Sequence, residues 1–165
     1  MKRLAPLIAI VALLMSAGIS RPAHAHNWDD LQLGIGAVFG MPTGLTMDIR
    51  MGSRAATNVA VGMGTLTNDP YIHAELRGTI IHLSHQARLA IPLYIGAGGY
   101  LAGQGREVGG ELNLGARFSL GVAFELRVPV QFFAEAALRS HMLSIGHDRE
   151  PGLGVGGAAG FKIFF

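Results

Sequence analysis

The sequence contains no cysteine. That excludes disulfide scaffolds, thiolate metal sites and cysteine nucleophiles. Lysine is nearly absent as well, with only Lys2 and Lys162 in 165 residues. Charged residues make up 15% of the chain, whereas a solvated protein surface typically carries about 25–35%. Long apolar runs are missing beyond the N-terminus. The one candidate, Leu4–Ile19, is interrupted by Pro6 and Ser16 and falls short of the roughly 20 residues that a spanning helix needs. Any passage through a membrane would therefore have to be made by strands.

The N-terminus reads as a secretory leader. Lys2 and Arg3 form a positive start, Leu7–Met15 is apolar, and Ala23-His24-Ala25 offers a small-x-small cleavage pattern. Residues 1–25 are expected to be removed before His26, leaving residues 26–165 as one domain. Removal takes away Lys2, Arg3 and Arg21, which leaves ten basic against eleven acidic residues, so the mildly positive whole-chain balance belongs to the leader. Nothing that remains forms a basic stripe, and nucleic acid is not an indicated partner.

What the chain does have is alternation. In Glu111–Val122, Leu112, Leu114, Ala116, Phe118, Leu120 and Val122 fall on one face, and Glu111, Asn113, Gly115, Arg117, Ser119 and Gly121 on the other. Leu45–Met51 repeats this, with Asp48 and Arg50 on the polar face. Tyr71–Ile80 sets Ile72, Ala74, Leu76 and Ile80 against His73, Glu75, Arg77 and Thr79. Val130–Arg139 sets Val130, Phe132, Ala134, Ala136 and Leu138 against Gln131, Glu135 and Arg139, with Phe133 the one bulky apolar residue on the polar side. Glycine-rich versions occur at Leu31–Phe39, Asn58–Leu66 and Leu93–Leu101, and the last segment is Leu153–Phe165. Period two over eight segments of roughly 8–13 residues predicts an all-β chain of eight antiparallel strands.

Two faces do not by themselves say which is inside. The polar face is too poor in charge to dissolve a protein, and its many glycines suit the narrow interior of an eight-stranded barrel. Its charges nearly balance: Arg50, Arg77, Arg117, Arg139 and Lys162 against Asp48, Glu75, Glu111 and Glu135. Paired charges are tolerable inside, whereas unpaired ones are costly. The sequence thus points to a closed, up-and-down transmembrane β-barrel with a salt-bridged lumen and its apolar face toward lipid. In the final "GFKIFF", Phe161, Ile163 and Phe165 then face lipid and Lys162 the lumen. Counting strands, the loops at one end are Gly40–Gly44, Thr65–Pro70, Ala102–Gly110 and Ser140–Gly152, and both termini lie at the other.

Leader, eight strands and a terminal Phe together resemble the small outer-membrane barrels of the OmpA-like transmembrane-barrel type. "GMPTGLT" (Gly40–Thr46), "IPLYIGAGGY" (Ile91–Tyr100) and "LGARFSLGVAF" (Leu114–Phe124) are similar to a little-characterised bacterial subgroup. The resemblance implies an integral barrel in a Gram-negative outer membrane, both termini periplasmic, with a plugged or very narrow lumen and no shared catalytic residues. Phe161, Ile163 and Phe165 resemble the C-terminal signal read by the outer-membrane assembly machinery, so lipid and that machinery are the implied partners. No appended peptidoglycan-binding domain is seen, no cofactor is indicated, and no ligand of the outer loops can be named.

Three other functions have partial footing in the residues. His141, Ser144, His147, Asp148 and Glu150 could serve a lipid hydrolase similar to the lipid A deacylases, in which His and Ser lie two apart on one strand. Here they are three apart, which on a regular strand sends them to opposite faces. A metal site at the "HAHNW" histidines or at His82 and His85 lacks the three or four converging donors that a metal requires. A soluble periplasmic lipid-binding barrel would line its cavity with Leu112, Leu114 and Phe118 instead of charges.

Overall fold

The computed structural model describes residues 31–52, 54–64, 69–86, 89–104, 111–145 and 152–165. Residues 1–30, which include the expected leader, lie outside the described residues. So do His147, Asp148 and Glu150 of the last loop and the side chains of His85 and Glu111.

Eight strands follow one another: β1 (Gln32–Gly40), β2 (Thr43–Met51), β3 (Ala55–Met63), β4 (Pro70–Gln86), β5 (Leu89–Gln104), β6 (Glu111–Leu126), β7 (Val130–Ile145) and β8 (Leu153–Phe164). Each pairs antiparallel with the next, and β8 returns to β1, so the sheet closes into an all-β, up-and-down barrel. Closure runs through Gly34↔Phe164, Gly36↔Lys162 and Val38↔Gly160, and it leaves no strand edge open.

β4 to β7 extend further than the alternation alone predicts. Ser140–Ile145 belongs to β7 and not to the last loop, and only Met41 and Pro42 separate β1 from β2. The extra strand length was hidden because the alternation slips. On β4 the pairing passes from Thr79↔Tyr94 to Ile81↔Leu93 and from His82↔Pro92 to Ser84↔Ile91. On β7 it passes from Leu143↔Leu114 to His141↔Gly115, leaving Met142 as the extra residue. Each such bulge shifts the two-residue period by one.

The turn after β1 is tight. Gly40 has φ +116°, a backbone state that a side chain disfavours, and a Cβ there would approach Gly157 O to 2.3 Å. The Thr43 hydroxyl donates to Gly40 O at 3.0 Å, and Met41 N–H donates to Gly157 O at 3.0 Å.

The two faces separate by chemistry. Leu76 (63%), Phe118 (57%), Leu120 (51%) and Ile95 (52%) project outward, whereas Lys162 and Asn58 (each 0%) and Arg117 (1%) are sealed inside. Leu112 and Leu114 also point outward, so the apolar cavity they would line in a soluble lipid carrier does not form. On the outer surface Phe124, Phe132 and Phe161 stand side by side on β6, β7 and β8. All three tyrosines, Tyr71, Tyr94 and Tyr100, are buried within.

Candidate functional site

The interior has three levels, and the middle one holds most of the charges. Glu75 and Arg77 lie two apart on β4 and therefore share its inward face. Arg77 Nε donates to Glu75 Oε1 at 2.6 Å, while Nη2 reaches across the barrel to Glu135 Oε2 at 2.7 Å and also donates to Asn58 Oδ1 at 3.0 Å. Arg117 on β6 pairs through Nη2 with Glu135 Oε1, and its Nε lies 3.6 Å from Glu75 Oε2. The Tyr94 hydroxyl donates to Glu135 Oε2 at 3.0 Å.

Asp48 anchors the opposite wall. It accepts from Lys162 Nζ at 2.7 Å and from Asn58 Nδ2 at 2.6 Å, with Arg77 Nη1 3.8 Å away. Asn58 Nδ2 also reaches Thr46 Oγ1 at 2.8 Å. Since the Asn58 amide nitrogen is committed to Thr46 and Asp48, its oxygen accepts, and His73 Nε2 donates to it at 3.0 Å. Phe133 is no anomaly in this setting: the Lys162 ammonium lies 4.3 Å from its ring centroid, a favourable cation–π distance. Side chains from seven strands, β2 to β8, thus meet at mid-height and close the lumen.

Below, at the end with the short turns, Arg50 Nη2 pairs with Glu125 Oε1 at 2.6 Å and Gln131 Nε2 donates to the same oxygen at 2.9 Å. The Arg50 guanidinium sits 3.8 Å over the Phe164 ring. A vestibule of about 310 Å³ occupies this level, lined by Arg50, Arg54, His82, Tyr94, Glu125 and Gln131 among others, and floored by Asp48 and Arg77.

Above, at the end with the longer loops, Tyr71 stacks on Tyr100 at 5.5 Å between centroids, and the Tyr100 hydroxyl lies 2.7 Å from His141 Nδ1. Arg139 sits 6.0 Å from the Tyr71 ring centroid.

Of the expected lumen residues, Asp48, Glu75, Arg77, Arg117, Glu135 and Lys162 converge in one network. Arg50 is held separately below by Glu125. Arg139 meets no carboxylate among the described residues, and Glu111 has no described side chain. Glu125 was missed because "ELRVP" reads as a turn, although Glu125 continues the inward parity of Glu111 to Gly121. Asn58, His73 and Tyr94 carry no charge at neutral pH, so a search for ion pairs passes over them. The terminal residues fall as expected: Phe161, Ile163 and Phe165 are outward and Lys162 inward. Phe164 turns inward beneath Arg50.

The expectation for His141 and Ser144 is overturned. The extra residue at Met142 brings both to the lumen face, where Ser144 Oγ donates to Asn113 Oδ1 at 2.6 Å. The hydroxyl is committed to an amide, and the histidine's Nδ1 faces a phenol. A nucleophile needs a base within hydrogen-bond reach, and the Ser144 hydrogen bond goes elsewhere. Among the described residues no three His, Asp or Glu side chains gather as a metal would need. No protein-family model, no curated protein and no solved structure matches this chain.

Proposed function

We propose that this chain is an integral barrel of a bacterial outer membrane, with a structural or surface-recognition role and no catalytic one. The observation that carries this reading is the inverted distribution of side chains. In a soluble barrel the large aliphatic residues fill the interior and the charges face water. Here Leu76, Ile95, Phe118, Leu120 and Leu138 face outward on neighbouring strands while Asp48, Glu75, Arg117, Glu135 and Lys162 are buried. Such an outer surface is stable in hydrocarbon, and closure satisfies every strand's backbone without water. The row of Phe124, Phe132 and Phe161 near the short turns suits the aromatic girdle at a membrane interface.

On this reading both termini and the short turns face the periplasm, and the longer loops face outward. The network at mid-height acts as a plug that holds the strands together, and the vestibule beneath it is a blind recess. The alternative of a lipid hydrolase is disfavoured by the inward direction of Ser144, which turns it away from the lipid.

The test is fractionation of a Gram-negative host expressing the chain with its own leader, followed by comparison of boiled and unboiled samples on gels. Recovery in the outer-membrane fraction with a compact, faster unboiled band supports the reading. Recovery in the soluble periplasmic extract overturns it.

A further inference from the structure

Among the described residues the ion pairs of the lumen leave one cation over. Among those residues five inward cations (Arg50, Arg77, Arg117, Arg139 and Lys162) face four carboxylates (Asp48, Glu75, Glu125 and Glu135), and no ion pair among them includes Arg139. The excess has a definite place. Arg139 on β7 lies directly opposite Arg117 on β6, so the two side chains leave the inner wall at the same level, Arg139 leaning over Gly154 of β8 and Arg117 toward Glu135. Like charges in that relation repel.

Several donors around this pair have no hydrogen-bond partner. Arg117 is 1% exposed, and with Nη2 on Glu135 its Nη1 has no hydrogen-bond partner. Arg139 Nε and the buried Tyr71 hydroxyl are also without partners. A guanidinium carries only donors, so neither Arg can satisfy the other. His73 donates to Asn58 through Nε2, and its Nδ1 is an acceptor without a partner, but a neutral one that supplies no negative charge. Tyr100 and His141 are bonded to each other. Opposite Arg139 the wall is glycine: a Cβ on Gly154 would meet nothing closer than Arg139 Nη2 at 3.5 Å, which leaves that side of the guanidinium uncrowded.

We infer that the loop end of the lumen binds one small inorganic anion, bridging Arg117 and Arg139 and accepting from the Tyr71 hydroxyl. A halide or a compact oxyanion such as phosphate supplies the missing acceptor and the missing negative charge together. Charge-assisted hydrogen bonds of this kind are the strong ones. The inference needs only the closed barrel and holds wherever the barrel resides.

The experiment uses the purified full barrel in detergent, titrated with chloride and separately with phosphate at fixed ionic strength in gluconate, reading the unfolding midpoint. Crystals soaked in bromide give the position by anomalous scattering. The expected result is a saturable rise in midpoint, with bromide between Arg117 and Arg139. Arg139→Gln should weaken the apparent affinity by about tenfold or more, the effect of losing one charge-assisted contact, and Arg139→Lys by less. A response to chloride alone assigns a halide, and a stronger response to phosphate assigns an oxyanion. No saturable response to either anion overturns the inference, as does a response that Arg139→Gln leaves unchanged. Should Arg139→Gln fail to fold, the bromide position in the unaltered barrel decides: density absent from the Arg117–Arg139 pair refutes the site.

Discussion

Lys162 and Asp48 are 114 residues apart in sequence, yet the ammonium and the carboxylate meet at 2.7 Å in the sealed middle of the barrel. The pair joins β8 to β2 across the closing strand β1, whose Gly36 lies in register with Lys162 and with Thr46. A glycine is therefore interposed where a side chain would block the reach.

Removing one member of that pair strands the other. Lys162→Met should cost about 3–5 kcal/mol in denaturant unfolding, as for other buried ion pairs that lose a partner. Adding Asp48→Asn should recover part of the loss, because the orphaned carboxylate is then gone. A double-mutant cycle measures this: losses that simply add would show that the two groups do not interact.

Arg77 is bonded to Glu75, Glu135 and Asn58, so its loss leaves several buried groups unpaired at once. Arg77→Met should lower the temperature at which the compact gel band converts to the slow one by more than Arg50→Met does. Arg50 pairs with Glu125, at the vestibule level. The reverse order would contradict the mid-height plug.

Phe118 tests which solvent the outer surface meets. It lies mid-strand on β6 and is 57% exposed. Phe118→Arg should destabilise by about 2–4 kcal/mol if that surface is in hydrocarbon. It would be nearly silent if the surface met water. Refolding into lipid vesicles with a urea titration reads the difference, and Phe118→Leu serves as the control.

Gly121 is occupied space in all but name. A Cβ there would come within 2.3 Å of the Tyr94 ring, and Tyr94 is tied to Glu135. Gly121→Ala should therefore cost about 1–3 kcal/mol through overpacking. Pairing it with Tyr94→Leu should relieve most of that cost, which the same unfolding assay measures.

Sequence alternation was enough to foresee the eight strands, the closed barrel and the inward face of Asp48, Glu75, Arg77, Arg117, Glu135 and Lys162, because period two is a direct record of which way each side chain points. It failed where an extra residue broke the count. Met142 makes His141 and Ser144 neighbours on one face, and Ile80 and Leu83 similarly offset β4. A bulge leaves no mark in a list of residue types. Partner choice was also illegible. That Arg50 takes Glu125 while Arg77 takes Glu75 and Glu135 depends on register across the barrel, and two strands of the same pattern can pair at many offsets.

The meeting of β2 with β8 has a consequence for how the chain is proofread. Seven consecutive strands would leave Asp48 beside an unfinished wall, with Asn58 and the more distant Arg77 as its partners. Only when the twelve-residue strand β8 seats does the Lys162 ammonium reach it at 2.7 Å. An incomplete or misregistered barrel thus carries its own electrostatic penalty, and β8 is the strand that relieves it.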